Sequence, residues 1–114
     1  MTYIEPEFTG SSDVEDAIAR NVPKELSSVV IGVALNASDL EWAQRVCVRL
    51  ATHPDSNVRG NALLGLGHLA RRFGQLNRNI VVPLIEAGLH DEDSFVRGQA
   101  QAAFDDVSFF CNGC

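Results

Sequence analysis

The sequence predicts an all-α fold built from repeated helical hairpins, and three observations support this prediction. The octapeptides at 55–62 and 93–100 read DSNVRGNA and DSFVRGQA, and they agree at six of eight positions across a shift of 38 residues. A fixed period of about 20–50 residues is typical of stacked repeats, in which each unit is one supersecondary element. Only four prolines occur in 114 residues, and no segment shows the sustained alternation of a β-strand.

The first hairpin is predicted between Ser11 and Asn36. The segment SSD at 11–13 suits a helix N-terminus, and this short helix is expected to end near Asn21. Pro23 fits the first turn of the second helix, because the amide hydrogen that it lacks has no helical partner there. The apolar residues with helical spacing are Val14, Ala17, Ile18, Leu26, Val29, Val30, Val33 and Ala34.

The second hairpin has clear boundaries. Ser38 or Asp39 is expected to cap the third helix, the segment HPDS at 53–56 separates it from the fourth, and Gly74 ends the fourth. The apolar positions of the two helices are Leu40, Ala43, Val46, Cys47, Leu50, Val58, Ala62, Leu66, Leu69 and Phe73.

The third hairpin contains one inconsistency, Pro83, inside the predicted fifth helix at 76–89. This proline either kinks the helix or marks its true first turn, with residues 76–82 as a lead-in. The segment HDED at 90–93 is a turn, and the tail from Ser108 onwards is not assigned to the sixth helix. That helix is expected to bury Val96, Ala100, Ala103, Phe104 and Val107. We therefore divide the chain into a lead-in at 1–11, one helical domain at 12–110 and a tail at 111–114.

The pattern Asp-x-x-Val-Arg-x-x-Ala resembles the second-helix signature of HEAT-like repeats. The resemblance covers about residues 39–107 and rests on Asp55, Val58, Arg59, Ala62, Asp93, Val96, Arg97 and Ala100. It implies a short right-handed α-solenoid of about three hairpins, in which the repeated Asp and Arg make structural contacts between units. Glycine costs helix stability, so Gly60, Gly65, Gly67 and Gly98 are interpreted as positions of close backbone approach.

Composition narrows the classes of function. The net charge of −6, from 15 acidic and 9 basic residues, argues against nucleic-acid binding, which requires a basic surface. It favours a basic protein partner instead. The N-terminal ten residues are acidic and do not resemble a secretory signal, and no run is long enough to span a membrane. A cytoplasmic protein that is monomeric when free is expected.

Catalytic and metal-binding patterns are weak. His53 and His90 lie in equivalent turns, but neither belongs to a paired His or Cys motif, so no metal and no cofactor are predicted. Cys111 and Cys114 have Cys-x-x-Cys spacing without the preceding strand and following helix that a redox motif needs, and they are interpreted as incidental. Cys47, between two valines, is expected to be a core thiol.

The candidate partner-binding residues come from the 38-residue shift. In a HEAT-like stack the second helix of each unit lines the concave face, which places Asn61, Leu64 and His68 beside the positions 99, 102 and 106. Acidic runs and a tryptophan add further candidates. The full predicted set is Glu41, Trp42, Asn61, Leu64, His68, Asp91, Glu92, Asp93, Gln99, Asp105 and Asp106.

The function predicted from these features is non-enzymatic protein binding. A small, acidic helical-repeat chain resembles the immunity proteins of bacterial toxin systems, including contact-dependent growth inhibition. This resemblance implies that it binds a basic toxin domain, for example a nuclease, and blocks its active site. Three alternatives remain open: a scaffold subunit that binds through Val107, Phe109 and Phe110; a HEAT-like lyase or chaperone for bilin chromophores; and an enzyme.

Overall fold

The computed structural model describes residues 11–111, and its regular structure there is entirely helical. Residues 1–10 of the predicted lead-in and 112–114 of the predicted tail lie outside the described residues. No helix in the described part is long and apolar enough to cross a membrane. The six helices of the described part are α1 Ser11–Arg20, α2 Pro23–Asn36, α3 Leu40–Leu50, α4 Ser56–Phe73, α5 Arg78–Leu89 and α6 Ser94–Phe110.

The helices form two layers of three. Helices α2, α4 and α6 lie side by side with α4 in the centre, and they make the most extensive contacts in the molecule. Helices α1, α3 and α5 each pack against the next helix of the chain, and α3 also contacts α5. An ion pair joins α3 to α1, since the Nη1 of Arg49 lies 2.9 Å from a carboxylate oxygen of Glu15. The all-α prediction of three successive hairpins is therefore confirmed.

Most of the predicted core positions are buried. The core is made almost entirely of aliphatic side chains, with Leu26, Leu63, Leu66, Leu69 and Ile85 as its largest fully buried members. Cys47 is a free, buried thiol, as predicted, and burial raises its pKa to about 12. Close packing of such side chains is the main source of stability in a domain of this size.

Helix boundaries were predicted well where capping residues occur. Pro23 begins α2, Asp39 caps α3 by accepting the amide hydrogen of Trp42 at 3.1 Å, and Gly74 ends α4 in the left-handed conformation with φ of 69°. Only glycine adopts this conformation without a steric cost. Each of these boundaries has a local chemical cause.

The structure excludes one open alternative and contradicts two local predictions. Helix α5 begins at Arg78 and continues through Pro83, so Pro83 does not mark its first turn. Helix α6 continues to Phe110, three residues beyond Val107. Phe104 is 40% exposed and not part of the core, because no element of the described chain covers the outer side of the last helix. Helical spacing alone does not reveal that a helix is the last one in a stack.

The glycine predictions were right in the centre of the layer and wrong at its edge. A Cβ atom on Gly67 would lie 2.9 Å from the Cα of Ala103, so α4 and α6 approach closely there. The same construction at Gly60 meets the Phe95 ring at 2.8 Å, whereas at Gly98 it meets nothing within 4 Å among residues 11–111. Gly98 therefore has no packing neighbour in the described chain, although it occupies the same place in the repeated phrase as Gly60.

Candidate partner-binding surface

The repeated aspartates cap the second helix of their units. Asp55 accepts hydrogen bonds from the amides of Asn57 and Val58 at 2.9 and 3.2 Å. Asp93 accepts from the amides of the residues at 95 and 96 at 2.8 and 3.2 Å. These amides have no partner within the helix, so each carboxylate stabilises a helix N-terminus.

The repeated arginines hold the turn that precedes their helix. The Nη1 of Arg59 donates to the carbonyl oxygens of His53 and Pro54, both at 3.0 Å. The Nη1 of Arg97 donates to the carbonyl oxygens of Asp91 and residue 92 at 2.8 and 3.1 Å. The two copies of the phrase thus build the same local structure.

Arg59 also joins the second unit to the third. Its Nε and Nη2 donate to the two carboxylate oxygens of Asp91 at 2.8 and 2.9 Å, and both side chains are largely buried, with 17% and 15% exposure. The carboxylate also accepts from the amide of Asp93. The pKa of Asp91 is lowered, first by the Arg59 hydrogen bonds and then by the Asp93 amide. Asp91 and Asp93 were predicted to bind a partner, and the structure gives both of them contacts within the fold.

The outward side of the α2–α4–α6 layer carries three parallel stripes, which we call the central face. The stripe of each helix contains residues spaced by four, three and four positions, and the α4 and α6 stripes are related by the shift of 38 residues. The central face consists of Lys24, Ser28, Ile31 and Leu35 on α2; Asn57, Asn61, Leu64, His68 and Arg71 on α4; and Phe95, Gln99, Ala102, Asp106 and Phe109 on α6.

Two contacts across α4 and α6 lie where the 38-residue shift predicts them. The Nε2 of Gln99 donates to the Oδ1 of Asn61 at 2.9 Å. Further along, His68 and Asp106 are near enough to interact electrostatically, and Asp106 accepts from the Nη2 of Arg71 at 3.0 Å. The five α4 and α6 residues of the predicted site that we derived from the shift therefore share one face.

The middle of the central face is apolar. Ile31, Leu64 and Ala102 are all partly exposed and occupy the middle positions of the three stripes. The polar residues Asn61 and Gln99 lie three positions before Leu64 and Ala102, so they border the apolar middle on its N-terminal side. The face therefore has an apolar middle with polar side chains beside it, while Leu35, Phe95 and Phe109 are exposed at the ends of its stripes. Such a mixture of apolar and polar groups is usual for a protein-binding surface.

His68 is in an unusual environment within this face. Its Nδ1 is buried and has no hydrogen-bond partner among residues 11–111. The pKa of His68 is lowered, chiefly by burial and next by the positive charge of Arg71, while Asp106 acts in the opposite direction. The neutral imidazole is therefore the favoured form at this position.

Glu41 and Trp42 lie elsewhere, at the start of α3 in the other layer. Trp42 is half-buried against the core, and Glu41 is exposed, 4.0 Å from Arg45. A groove of about 600 Å³ beside α3 is lined by Glu41, Arg45 and Ile80 among others. The structure therefore does not bring these two residues together with the central face.

The predicted acidic clusters also do not converge on one point. The run at 91–93 precedes α6, while Asp105 lies some twelve residues further along it, roughly 18 Å away at 1.5 Å per residue. Asp105 is exposed and accepts from the Nε2 of Gln101 at 3.0 Å. Glu92 is exposed as well. Exposed acidic groups therefore lie just before α6 and in its second half.

The remaining cysteines and histidines form no recognisable centre in the described chain. No three His, Cys, Asp or Glu side chains cluster there in a way that could hold a metal ion. His53 instead bridges two units, since its Nε2 lies 2.7 Å from the Oδ1 of Asn21 while its Nδ1 accepts from the amide of Asp55. Cys111 is buried, and Cys114 lies outside the described residues.

The sequence analysis missed several members of the central face. Phe95 and Phe109 are 41% and 74% exposed, and Arg71 lies 5.8 Å from the centre of the Phe110 ring. Applying the shift to Asn57 and Arg71 gives Phe95 and Phe109, so the signal was present in the repeat. The α2 stripe could not be found in this way because the first unit lacks the repeated phrase.

The geometry shows the class of protein to which this chain belongs: it is an all-α helical-repeat protein with a mixed polar and apolar face on the second helices of its hairpins. Among the solved structures that resemble it is a chain in the crystal structure of a CDI complex from Cupriavidus taiwanensis LMG 19424, which matches over nearly its whole length. The TM-score is 0.76 and the sequence identity 25%, covering 96% of this chain and 97% of that chain. No protein-family model matches the sequence, and no curated protein matches it significantly. Membership of the HEAT-like family therefore stays a prediction.

Proposed function

We propose that this chain is a non-enzymatic immunity protein of contact-dependent growth inhibition, which binds a toxin domain and blocks its active site. The observation that carries this proposal is the similarity to a chain of a CDI complex along almost the full length of both chains. A fold alone does not specify a function. The proposal therefore also needs a surface suited to a partner.

The central face is the surface that we assign to the toxin. Its centre is apolar, with Leu64 and Ala102, and its edge carries side chains that form hydrogen bonds, with Asn61 and Gln99 already joined to each other. The rigid stack holds these groups in fixed positions, so little conformational entropy is lost when a partner binds. Glu92 and Asp105 are exposed acidic groups just before α6 and in its second half, and the net charge is −6. Such charges accelerate the encounter with a basic partner, such as a nuclease domain.

The direct test first asks whether a large secreted protein is encoded directly upstream of this chain, and it then uses the C-terminal domain of that protein as the candidate toxin. We expect the purified chain to bind that domain in calorimetry, to abolish its toxicity when the two are co-expressed, and to bind more weakly as salt is raised from about 50 to 500 mM, because salt screens exposed charges. A chain that neither binds nor protects is not an immunity protein for that toxin. Binding that is insensitive to salt would refute the electrostatic part only.

A matched pair of variants tests the assigned surface. Ala102→Arg places a long cation in the middle of the central face, whereas Ala87→Arg places the same side chain on the exposed side of α5 in the other layer. We expect Ala102→Arg to raise the dissociation constant by more than about tenfold and Ala87→Arg to leave it within about twofold, because interface energy is concentrated at the centre of a surface. The reverse order would assign the toxin to the other layer.

A further inference from the structure

The outer side of α6 is a second exposed surface, distinct from the central face, which we call the α6 stripe. It is exposed because α6 is the last helix of the described stack. All of its residues are exposed, and they follow helical spacing over about 21 Å of helix. The α6 stripe consists of Ser94, Arg97, Gly98, Gln101, Phe104, Asp105 and Ser108.

Arg97 in this stripe makes only half as many side-chain hydrogen bonds as Arg59. In the second unit, Nη1 of Arg59 holds the preceding turn while Nε and Nη2 grip Asp91 of the next unit. In the third unit, Nη1 of Arg97 holds the equivalent turn, and its Nε and Nη2 have no hydrogen-bond partner among residues 11–111. The guanidinium therefore presents two parallel donors outward, the geometry that binds a carboxylate in bidentate fashion.

Gly98 also lacks a contact that its counterpart in the second unit, Gly60, makes. The Cβ position of Gly60 is covered by Phe95 of the following unit, but a Cβ on Gly98 would meet nothing within 4 Å. Beside Arg97 the backbone of α6 is thus not covered by any other residue of the described chain. A large side chain from another molecule can approach this backbone closely, because glycine has no Cβ.

The α6 stripe of one copy is complementary in charge and shape to the α6 stripe of a second copy. Two antiparallel copies of α6 can cross so that a twofold axis passes beside Gln101 of both copies. A residue that lies a given number of positions before Gln101 in one copy is then opposite the residue that lies the same number of positions after Gln101 in the other copy. Arg97 then faces Asp105 of the second copy, and Gly98 faces Phe104 of the second copy. Ser94 faces Ser108 in the same way.

We infer that the α6 stripe is a self-association surface whose occupant is a second copy of this chain. Each copy supplies one Arg97 and one Asp105 to the two arginine–carboxylate pairs of the dimer, and its Phe104 ring packs on the exposed backbone at Gly98 of the other copy. The contact uses the same patch of both copies, so it closes as a dimer and does not extend into a filament. It is carried by the charges and shapes of α6 and does not depend on the identity of any toxin. Because the contact is confined to one helix from each chain, it falls at the low end of stable interfaces, which bury about 1,200 Å² or more.

The test is sedimentation velocity of the full chain over about 1–500 µM. We expect a reversible monomer–dimer equilibrium with a dissociation constant in the micromolar range, as a small interface gives. Asp105→Arg should weaken the dimer by more than about tenfold, and the double variant Arg97→Asp/Asp105→Arg should restore it by exchanging the charges. Asp16→Arg, which reverses an exposed acid on α1, is the control and should leave the equilibrium unchanged.

Two further variants separate the interface from the fold. Gly98→Leu enters open space in the single chain, so the variant should fold and yet fail to dimerise. Gln101→Cys lies on the proposed twofold axis and should form a disulfide-linked dimer on mild oxidation, while Ser28→Cys on the central face should behave as the unmodified chain. A chain that stays monomeric to 500 µM, that forms larger oligomers, or whose dimer survives both Asp105→Arg and Gly98→Leu would overturn the inference.

Discussion

The contact between Arg59 and Asp91 is expected to be the strongest single polar link between two units of the stack. Asp91→Ala removes a carboxylate that accepts two hydrogen bonds from Arg59 and one from the amide of Asp93. The guanidinium then keeps the carbonyl oxygens of His53 and Pro54 as acceptors of its Nη1, but its Nε and Nη2 lose theirs. Breaking a fully buried ion pair by removing one partner costs about 3–5 kcal/mol. Because both side chains are only partly buried, with 17% and 15% exposure, we expect about 2 kcal/mol.

The repeat provides a matched control for the arginine. Arg59→Met loses the ion pair and the two bonds to the preceding turn, whereas Arg97→Met loses only the equivalent two bonds. Bonds of this exposed kind contribute about 1 kcal/mol together. The difference between the two variants therefore measures the link between units, and we expect about 2 kcal/mol in favour of Arg59.

The assay is urea denaturation at neutral pH, with the double variant Arg59→Met/Asp91→Ala completing a thermodynamic cycle. We expect a coupling of about 2 kcal/mol, compared with less than about 1 kcal/mol for an ordinary surface pair. Asp91→Ala should lower the melting temperature by about 10 °C in a domain of this size. A coupling below about 0.5 kcal/mol, or equal losses for Arg59→Met and Arg97→Met, would refute the reasoning.

The other predictions concern packing, titration and capping. Gly67→Ala should lower the free energy of unfolding by about 1–3 kcal/mol, because its Cβ would press on the α6 backbone. Gly98→Ala meets no other residue of the described chain and should raise the free energy of unfolding by about 0.5–1 kcal/mol. Both changes are measured by urea denaturation. The pKa of His68 lies below its usual 6.5, so stability should be complete above that pH and should fall as the pH drops through the lowered pKa. His68→Leu should remove that slope between about pH 7 and 5, and an unchanged slope would contradict the assignment. Asp55→Ala should cost about 1 kcal/mol of unfolding free energy because α4 loses its cap.

The sequence was most informative where a local rule decides the structure. Pro23, Asp39, Asp55 and Gly74 each fix a helix boundary through the chemistry of a few neighbouring atoms. These causes act within one turn of helix, so they can be recognised without knowing the rest of the fold. The same is true of the alignment between α4 and α6, since two copies of one phrase must pack in corresponding ways.

The errors arise where the outcome depends on a distant neighbour. Phe104 has the spacing of a core residue, but burial requires another helix outside α6, and the described chain has none. Gly98 repeats Gly60 but lacks a following unit to press against it. The role of Asp91 could not be predicted because its partner, Arg59, lies 32 residues earlier and meets it only after two hairpins have packed. A pattern in one segment does not contain this information.

The two copies of the repeated phrase differ in a way that connects the fold with the proposed function. The six identical positions include the capping aspartates, the arginines that hold the turns, and the valines and alanines that are buried. The phrase differs at its third and seventh positions. The third position is Asn57 in the first copy and Phe95 in the second, and the seventh is Asn61 in the first copy and Gln99 in the second. All four of these residues lie on the central face. The capping, turn-holding and buried contacts are therefore kept while the central face differs between the two copies, although Phe95 and Gln99 also contact the second unit at Gly60 and Asn61. Under the proposed function, this division lets the face change to match a particular toxin while most of the contacts that build the stack stay the same.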